Sequence, residues 1–509
     1  MRRAIAALGL GAAILMGPAF SAPAQAITPQ LITGPYVSGW FGYWEPDSVV
    51  ETLAAQGTST VPEVNLFWWS FADADRPLCT YNTNSSCNSA NWTNDHLNGQ
   101  RLILQDAGIP VLGSIVDGSR AGTLSEYLAT EGRRDAYAAM IVDWTVRAGL
   151  DGVDLDWEKF AFADDRSTWA TTQPRWVAFI KVLSKKLRDA DLVLSATVPA
   201  GSYPFRSDGT PNPGTGYWVY AWDEIIDDVD RLRIMAYDYS YSSPGPIGPY
   251  TWAAEVTRSA IAQVASTKAS NKKKIWLGIP QYSRNWVRQD AGGSYVTQGS
   301  CPAGWKPAAG ASGVPGMLSQ SVARAKEIAA REKVTPTWNS ADAEYTFRYW
   351  ILTEGTADGV ATVCKAEREV WFADTRSATR KANIVTQQGI AGVAVWEFGF
   401  VLDGFYSKMA KKIAPPLELR ANFDDRIRKG QSTTVSGKVL RGDDAVASAK
   451  VNVTWISATG NKVDIGTTRT NAKGRYSITV TPKKSGTLRI KARSEGQEAV
   501  VKRPITVRG

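Results

Sequence analysis

The chain has 509 residues, 44% hydrophobic and 21% charged, which is enough apolar material for one large domain and a smaller companion and excludes a disordered ground state. It holds a single histidine, His96, so a histidine-built zinc site or a Ser-His-Asp triad is excluded and any chemistry must rest on carboxylates, phenols and amides. The net charge of +9 is unevenly spread: Lys and Arg less Asp and Glu give +2 for residues 1–26, −4 for 27–416 and +11 for 417–509.

At the N-terminus, Arg2 and Arg3 precede an apolar run over residues 4–16, and Ala24-Gln25-Ala26 has the small-x-small form of a cleavage site. Residues 1–26 therefore read as a secretory signal, and the expected location is extracellular or wall-associated. No later run reaches the ~20 apolar residues that span a bilayer, so no transmembrane anchor is expected. Four cysteines suit an oxidising compartment, with Cys79–Cys87 closing a short loop and Cys301–Cys364 a long one.

From residue 36 the chain alternates apolar, β-rich runs with stretches of helical period. Eight such runs fall at 36–44, 61–71, 109–116, 152–158, 192–198, 232–239, 275–282 and 390–398, with helices predicted at 124–148, 169–189 and 259–270. Eight strand runs separated by helices predict an α/β fold, a (β/α)8 TIM barrel over residues 27–413. The gap between runs seven and eight, about 283–375, exceeds one crossover and reads as an inserted subdomain holding the second cysteine pair. After Ala414-Pro415-Pro416 the pattern becomes short alternating segments, predicting an all-β immunoglobulin-like sandwich over 417–509. Its positive charge suits an anionic cell-wall polymer, and no nucleic-acid partner is expected.

The chemistry concentrates in Asp151-Gly-Val-Asp-Leu-Asp-Trp-Glu158. Residues two apart share a strand face, so Asp154, Asp156 and Glu158 point together toward the barrel axis, with Glu158 at the mouth where (β/α)8 enzymes keep their reactive groups. Leu150, Val153, Leu155 and Trp157 make the opposite face apolar, as a buried strand requires. An aspartate between two acids is expected to hold a proton and pass it to and from Glu158.

The pattern Asp151-x-x-Asp154-x-Asp156-x-Glu158 resembles the signature of glycoside hydrolase family 18, the chitinase-like family. Met235-Ala-Tyr237-Asp238, the segment 278–284 with Tyr282 and Arg284, and Val395-Trp396-Glu397 resemble the family's sixth, seventh and eighth strand ends. The resemblance implies the inserted α+β subdomain and a retaining, substrate-assisted hydrolysis in which Glu158 is the acid and the substrate's 2-acetamido oxygen is the nucleophile. It implies that Tyr237, Asp156 and Asp154 complete the catalytic set, that Asp238 contacts an acetamido group, and that Trp396 floors the reacting sugar. Met235, Tyr282 and Arg284 are expected to line the substrate site, and Tyr43 and Trp68 to stack sugars. Residues 369–377, with Asp374 as a helix cap, resemble the spore-cortex and peptidoglycan-type N-acetylglucosaminidase branch. The expected substrate is thus an N-acetylated polysaccharide, chitin or a peptidoglycan glycan, with no metal or cofactor. A non-catalytic sugar-binding relative and a wall-adhesion protein are the competing classes.

Overall fold

A computed structural model describes residues 36–58, 60–80, 95–200, 216–310, 313–413, 417–441, 444–494 and 497–509. The expected signal segment 1–26, Cys87 and the break at 414–416 lie outside them.

Eight parallel strands carry the predicted runs: β1 (Tyr36–Gly42), β2 (Val64–Phe71), β3 (Val111–Asp117), β4 (Gly152–Asp156), β5 (Val193–Pro199), β6 (Arg231–Met235), β7 (Ile275–Pro280) and β8 (Gly392–Trp396). Each pairs with its sequence neighbour, and β1 pairs with both β2 and β8, which closes the sheet into a barrel. Alternate residues of each strand face outward and join the helices in one apolar core, where Val153, Leu155 and Trp157 meet Tyr137, Trp176 and Phe179. The burial of these large side chains contributes about 25 cal/mol for each Å² of apolar surface removed from water, and that contribution commits β4 to its orientation. Turning the apolar residues outward turns Asp154 and Asp156 inward.

The predicted helix 124–148 is two helices, Thr123–Tyr127 and Glu131–Arg147, because the Thr130 side chain accepts from the Arg133 amide and restarts the helix. The helix expected at 259–270 begins about two and a half turns earlier and runs Tyr250–Ala265.

Between β7 and β8 lies the insert, an antiparallel sheet built around the long hairpin Glu344–Ala357 and Val360–Phe372 with the helix Val322–Arg331 packed on it. Its first strand, Tyr282–Val287, leaves β7 after one residue. Cys301 and Cys364 are bonded, with their Cα atoms 5.5 Å apart, and Cys79 is also disulfide-bonded. Asp374 caps the returning helix Thr375–Gln388 by accepting from the Arg376 amide at 2.9 Å, and Gly389, at φ 70°, ends it. Buried Lys381 on that helix meets Glu344 of the insert at 2.8 Å, and Glu344 also accepts from the Ile247 and Gly248 amides, which pins the insert against the barrel.

Residues 417–509 form two further sheets around a shared apolar core that includes Val435, Val451, Val453, Leu488 and Ile490. No helix among the described residues is long and apolar enough to cross a membrane.

Candidate active site

The bottom of the barrel is polar and holds a buried ion-pair network. Arg233, with no exposed surface, donates to Ser38, Ser195 and Glu63, and Arg231 donates to Glu63 at 3.1 Å. One layer higher, Asp154 accepts four hydrogen bonds: Trp40 Nε1 at 2.9 Å, Ser114 Oγ at 3.0 Å, Ser195 Oγ at 2.6 Å and Thr197 Oγ1 at 2.8 Å. These donors come from β1, β3 and β5, so Asp154 cross-links three strands beside its own. With all four acceptor positions used, it is a fixed anchor.

Asp156 sits above in a different environment. It is buried, and its Oδ1 has no hydrogen-bond partner among the described residues. Burial, then the carboxyl of Glu158, then that of Asp154 raise its pKa well above the usual carboxylate range, so it carries a proton. Glu158 follows at the barrel mouth, at the end of β4, half-buried and facing a cleft shared with Met235, Tyr237 and Asp238. Burial, then the nearby Asp238, push Glu158 up to about 7. A carboxyl poised there carries a proton at mildly acidic pH and releases it readily, as a general acid must.

The end of β6 supplies the opposite wall. Tyr237 is half-buried against the edge of Tyr282, with ring centroids 6.3 Å apart, and desolvation followed by Asp156 raises its phenol well above 10. It stays a hydroxyl donor. Asp238, at φ 58°, turns the chain out of the strand and is held by the Tyr282 hydroxyl and by Arg284, whose Nη2 lies 2.5 Å and Nε 3.1 Å away. Arg284 is itself packed over the Tyr241 ring at 4.5 Å. Tyr282 and Arg284 belong to the first strand of the insert, so the insert builds part of this wall.

The floor comes from β8. The Trp396 indole packs edge-on to Phe67 and tilted against Trp40, and its peptide bond to Glu397 is cis. Here the structure corrects one expectation. Alternation from the inward Phe67 sends Trp68 outward, and a register shift in β2 after Phe67 sends Trp69 outward too; both are fully buried in the helix-facing core and Trp69 meets Trp144. Trp68 therefore cannot stack a sugar, and Phe67 is the β2 aromatic beside the cleft. Tyr43 also leans on the barrel core with its ring edge against Trp44, and Trp44, 47% exposed, presents the open face.

Sequence reasoning missed a second carboxyl cluster. Glu397, wholly buried, accepts from the Gly42 amide at 3.0 Å and from Trp44 Nε1 at 3.1 Å, tying the loop after β1 to the end of β8. Burial, then the adjacent Glu45 carboxyl, push it up to about 8. Glycines make the space: a Cβ on Gly42 would lie 2.3 Å from the Trp44 ring, and one on Gly399 would lie 2.1 Å from the Glu45 carboxyl. On the other side of Glu158 the cleft is lined by Phe162, Tyr217, Tyr239, Tyr241 and Trp252, a run of rings that composition alone did not locate. Among the described residues no cluster of His, Cys, Asp and Glu is arranged to hold a metal.

Known proteins bear on this site in three ways. The putative sporulation-specific glycosylase YdhD of Bacillus subtilis is 26% identical over 262 residues, 50% of this chain and 49% of that protein, so the chain spans about half the length of that relative. Chitotriosidase-1 of Mus musculus is 24% identical over 68% of this chain and 71% of its own length. Among solved structures, the spore cortex-lytic enzyme SleL of Bacillus megaterium superposes with a TM-score of 0.52 at 17% identity, covering 75% of this chain and 74% of its own. The family model described as glycosyl hydrolases family 18 matches residues 36–400, the whole barrel with its acid ladder and insert, and the chain belongs to that family.

Proposed function

We propose that this chain is a secreted, retaining glycosidase that hydrolyses β-linked N-acetylglucosamine polysaccharide, chitin or a related polymer. The observation that carries the reading is Glu158, raised to about 7 at the mouth above a protonated, unpaired Asp156. A retaining enzyme of the usual kind needs a second carboxylate about 5 Å away as nucleophile. Asp154 is saturated by its four donors and Asp238 is bound by Arg284 and Tyr282, so both are committed. The substrate's own acetamido oxygen then serves as nucleophile. Glu158 gives its proton to the leaving oxygen while the acetamido oxygen bonds to the anomeric carbon. The Tyr237 phenol donates to the acetamido oxygen and orients it, while the Asp156 carbonyl oxygen accepts from the acetamido N–H and so steadies the cyclic cation. Water enters as Glu158 takes its proton back, and the configuration at the anomeric carbon is kept.

A second reading, a cell-wall N-acetylglucosaminidase acting on peptidoglycan, is favoured by the relatives named for sporulation and cortex lysis. Product analysis on chitin oligomers and purified peptidoglycan, with wild type and Glu158→Gln, separates the readings. The variant is expected to bind substrate and fold normally while turnover falls ~10²–10⁴-fold. Turnover at the wild-type rate, or equal cleavage of a substrate with a free amine in place of the acetamide, would overturn the mechanism. A wild type that binds both glycans and cleaves neither would instead identify a sugar-binding or adhesion protein.

A further inference from the structure

The excess positive charge of residues 417–509 is not spread evenly over their surface. The two sheets share one core, so each has a buried and a solvent face, and the strand register assigns every side chain to one of them. In the five-stranded sheet, Leu488, Ile490 and Ala492 of the central strand Gly486–Ser494 point inward, which sends Arg489, Lys491 and Arg493 outward. The same parity extends across the pairing. Lys502 stands opposite Arg489 on Gln497–Arg508, and Lys450 lies between Arg493 on one side and Arg469 on the other. Lys462 and, at the far edge, Arg426 and Arg428 beside Arg508 complete the face.

Ten cations thus share one sheet face with two carboxylates, Glu498 and Asp464. Glu498 is engaged by Lys491 and Arg493, and Asp464 accepts from Thr454. Among the described residues the remaining eight cations have no carboxylate partner. The opposite sheet carries fewer cations: Arg420, Lys438 and Arg475 stand in one row among Thr434, Ser436, Ser477 and Thr479, with Arg420 beside Glu418. Neighbouring strands put cations about 5 Å apart, and alternate residues along one strand put them about 7 Å apart. Such a lattice of uncompensated like charges opposes folding and is relieved only by a multivalent anion.

We propose that this face binds a phosphodiester-bearing polymer of the cell wall, holding the barrel against the polysaccharide it cleaves. The choice of a wall polymer rests on the barrel being a polysaccharide hydrolase, and the charge pattern does not. No aromatic side chain stands on the face, so it lacks the rings on which a single-stranded nucleic acid would stack its bases. Between the cations stand Asn452, Thr467 and Thr487, short side chains that donate hydrogen bonds to phosphate oxygens.

The test uses the full chain and the variant Arg489→Thr/Lys491→Thr/Lys502→Thr, whose changes lie on the solvent side of the sheet. Binding is measured to poly(glycerol phosphate), to duplex DNA and to vesicles of phosphatidylglycerol and phosphatidylcholine, at matched phosphate concentration across a salt series. Wild type is expected to prefer the polyol phosphate, to lose it with rising salt, and to exceed the variant at least tenfold at low salt. The variant's slope of log affinity against log salt is expected to be shallower by about 2. Equal binding by the variant, or tighter binding of wild type to DNA or vesicles, would overturn the proposal. Hydrolysis of a soluble chitin oligomer by both proteins is read in parallel: unchanged rates show that the variant is folded. If neither protein hydrolyses it, the barrel reading fails while the binding comparison still stands.

Discussion

Replacing Asp238 by Asn tests the electrostatics of the site without changing its shape. The asparagine carbonyl still accepts from Arg284 and Tyr282, but the negative charge that helps hold the proton on Glu158 is gone. The rise of Glu158 from 4.5 to about 7 amounts to about 3 kcal/mol of preference for the protonated acid. Burial is the larger cause and Asp238 the smaller, so removing the charge takes away less than half, or about one pH unit at most. The Arg284 guanidinium, left without its counter-charge, acts in the same direction. The general acid is active when protonated, so the alkaline limb of kcat against pH lies near 7 in wild type and moves toward lower pH in Asp238→Asn. Initial rates on a soluble chitin oligomer from pH 4 to 9 give both limbs. A limb that stays in place or moves to higher pH would refute the assignment of Glu158 as the acid coupled to Asp238.

Three further outcomes follow from the buried carboxyls. Asp154→Ala leaves Trp40, Ser114, Ser195 and Thr197 without their acceptor beside the buried Arg233, and is expected to cost about 3–5 kcal/mol in denaturant unfolding; a loss under about 1 kcal/mol would show that the anchor is dispensable. Glu397→Ala frees the Trp44 indole and is expected to raise KM for long oligomers several-fold with kcat little changed, while Glu397→Gln restores KM. Glu397 is raised in the folded state, so its contribution to stability is fully present below about 4.5 and is lost as pH rises to about 8; Tm measured from pH 5 to 9 should fall less in Glu397→Gln than in wild type.

The barrel and the acid ladder were legible because both are written locally. Alternation along residues 152–158 decides which side chains face in, and no distant residue can reverse it without burying acids among Tyr137, Trp176 and Phe179. The Trp68 expectation failed for a local reason of another kind: Trp68 shares the outward parity of Leu66, three successive aromatics give no sign of which faces in, and one shift of register after Phe67 sends Trp69 outward as well. Glu397 was hidden by distance. Its partners Gly42, Trp44 and Glu45 lie about 350 residues earlier, and only the closure of β1 on β8 brings them together. Asp154 was read as an acid among acids because its donors sit on three other strands. The signal was available in principle, since Trp40, Ser114 and Ser195 occupy inward positions at the same level of the barrel.

Tyr282 and Arg284 lie only two and four residues beyond the end of β7, yet they hold Asp238 from the insert's side. The reaction centre therefore has two owners. An exchange of the segment between β7 and β8 with that of a relative transplants the grip on Asp238 along with the cleft wall, and so resets the acidity of Glu158. Excision of the segment would spare the eight paired strands of the barrel and remove both groups that hold Asp238. On the proposed mechanism, cleft wall and acidity of Glu158 change together, through a piece of chain that contributes no strand to the barrel.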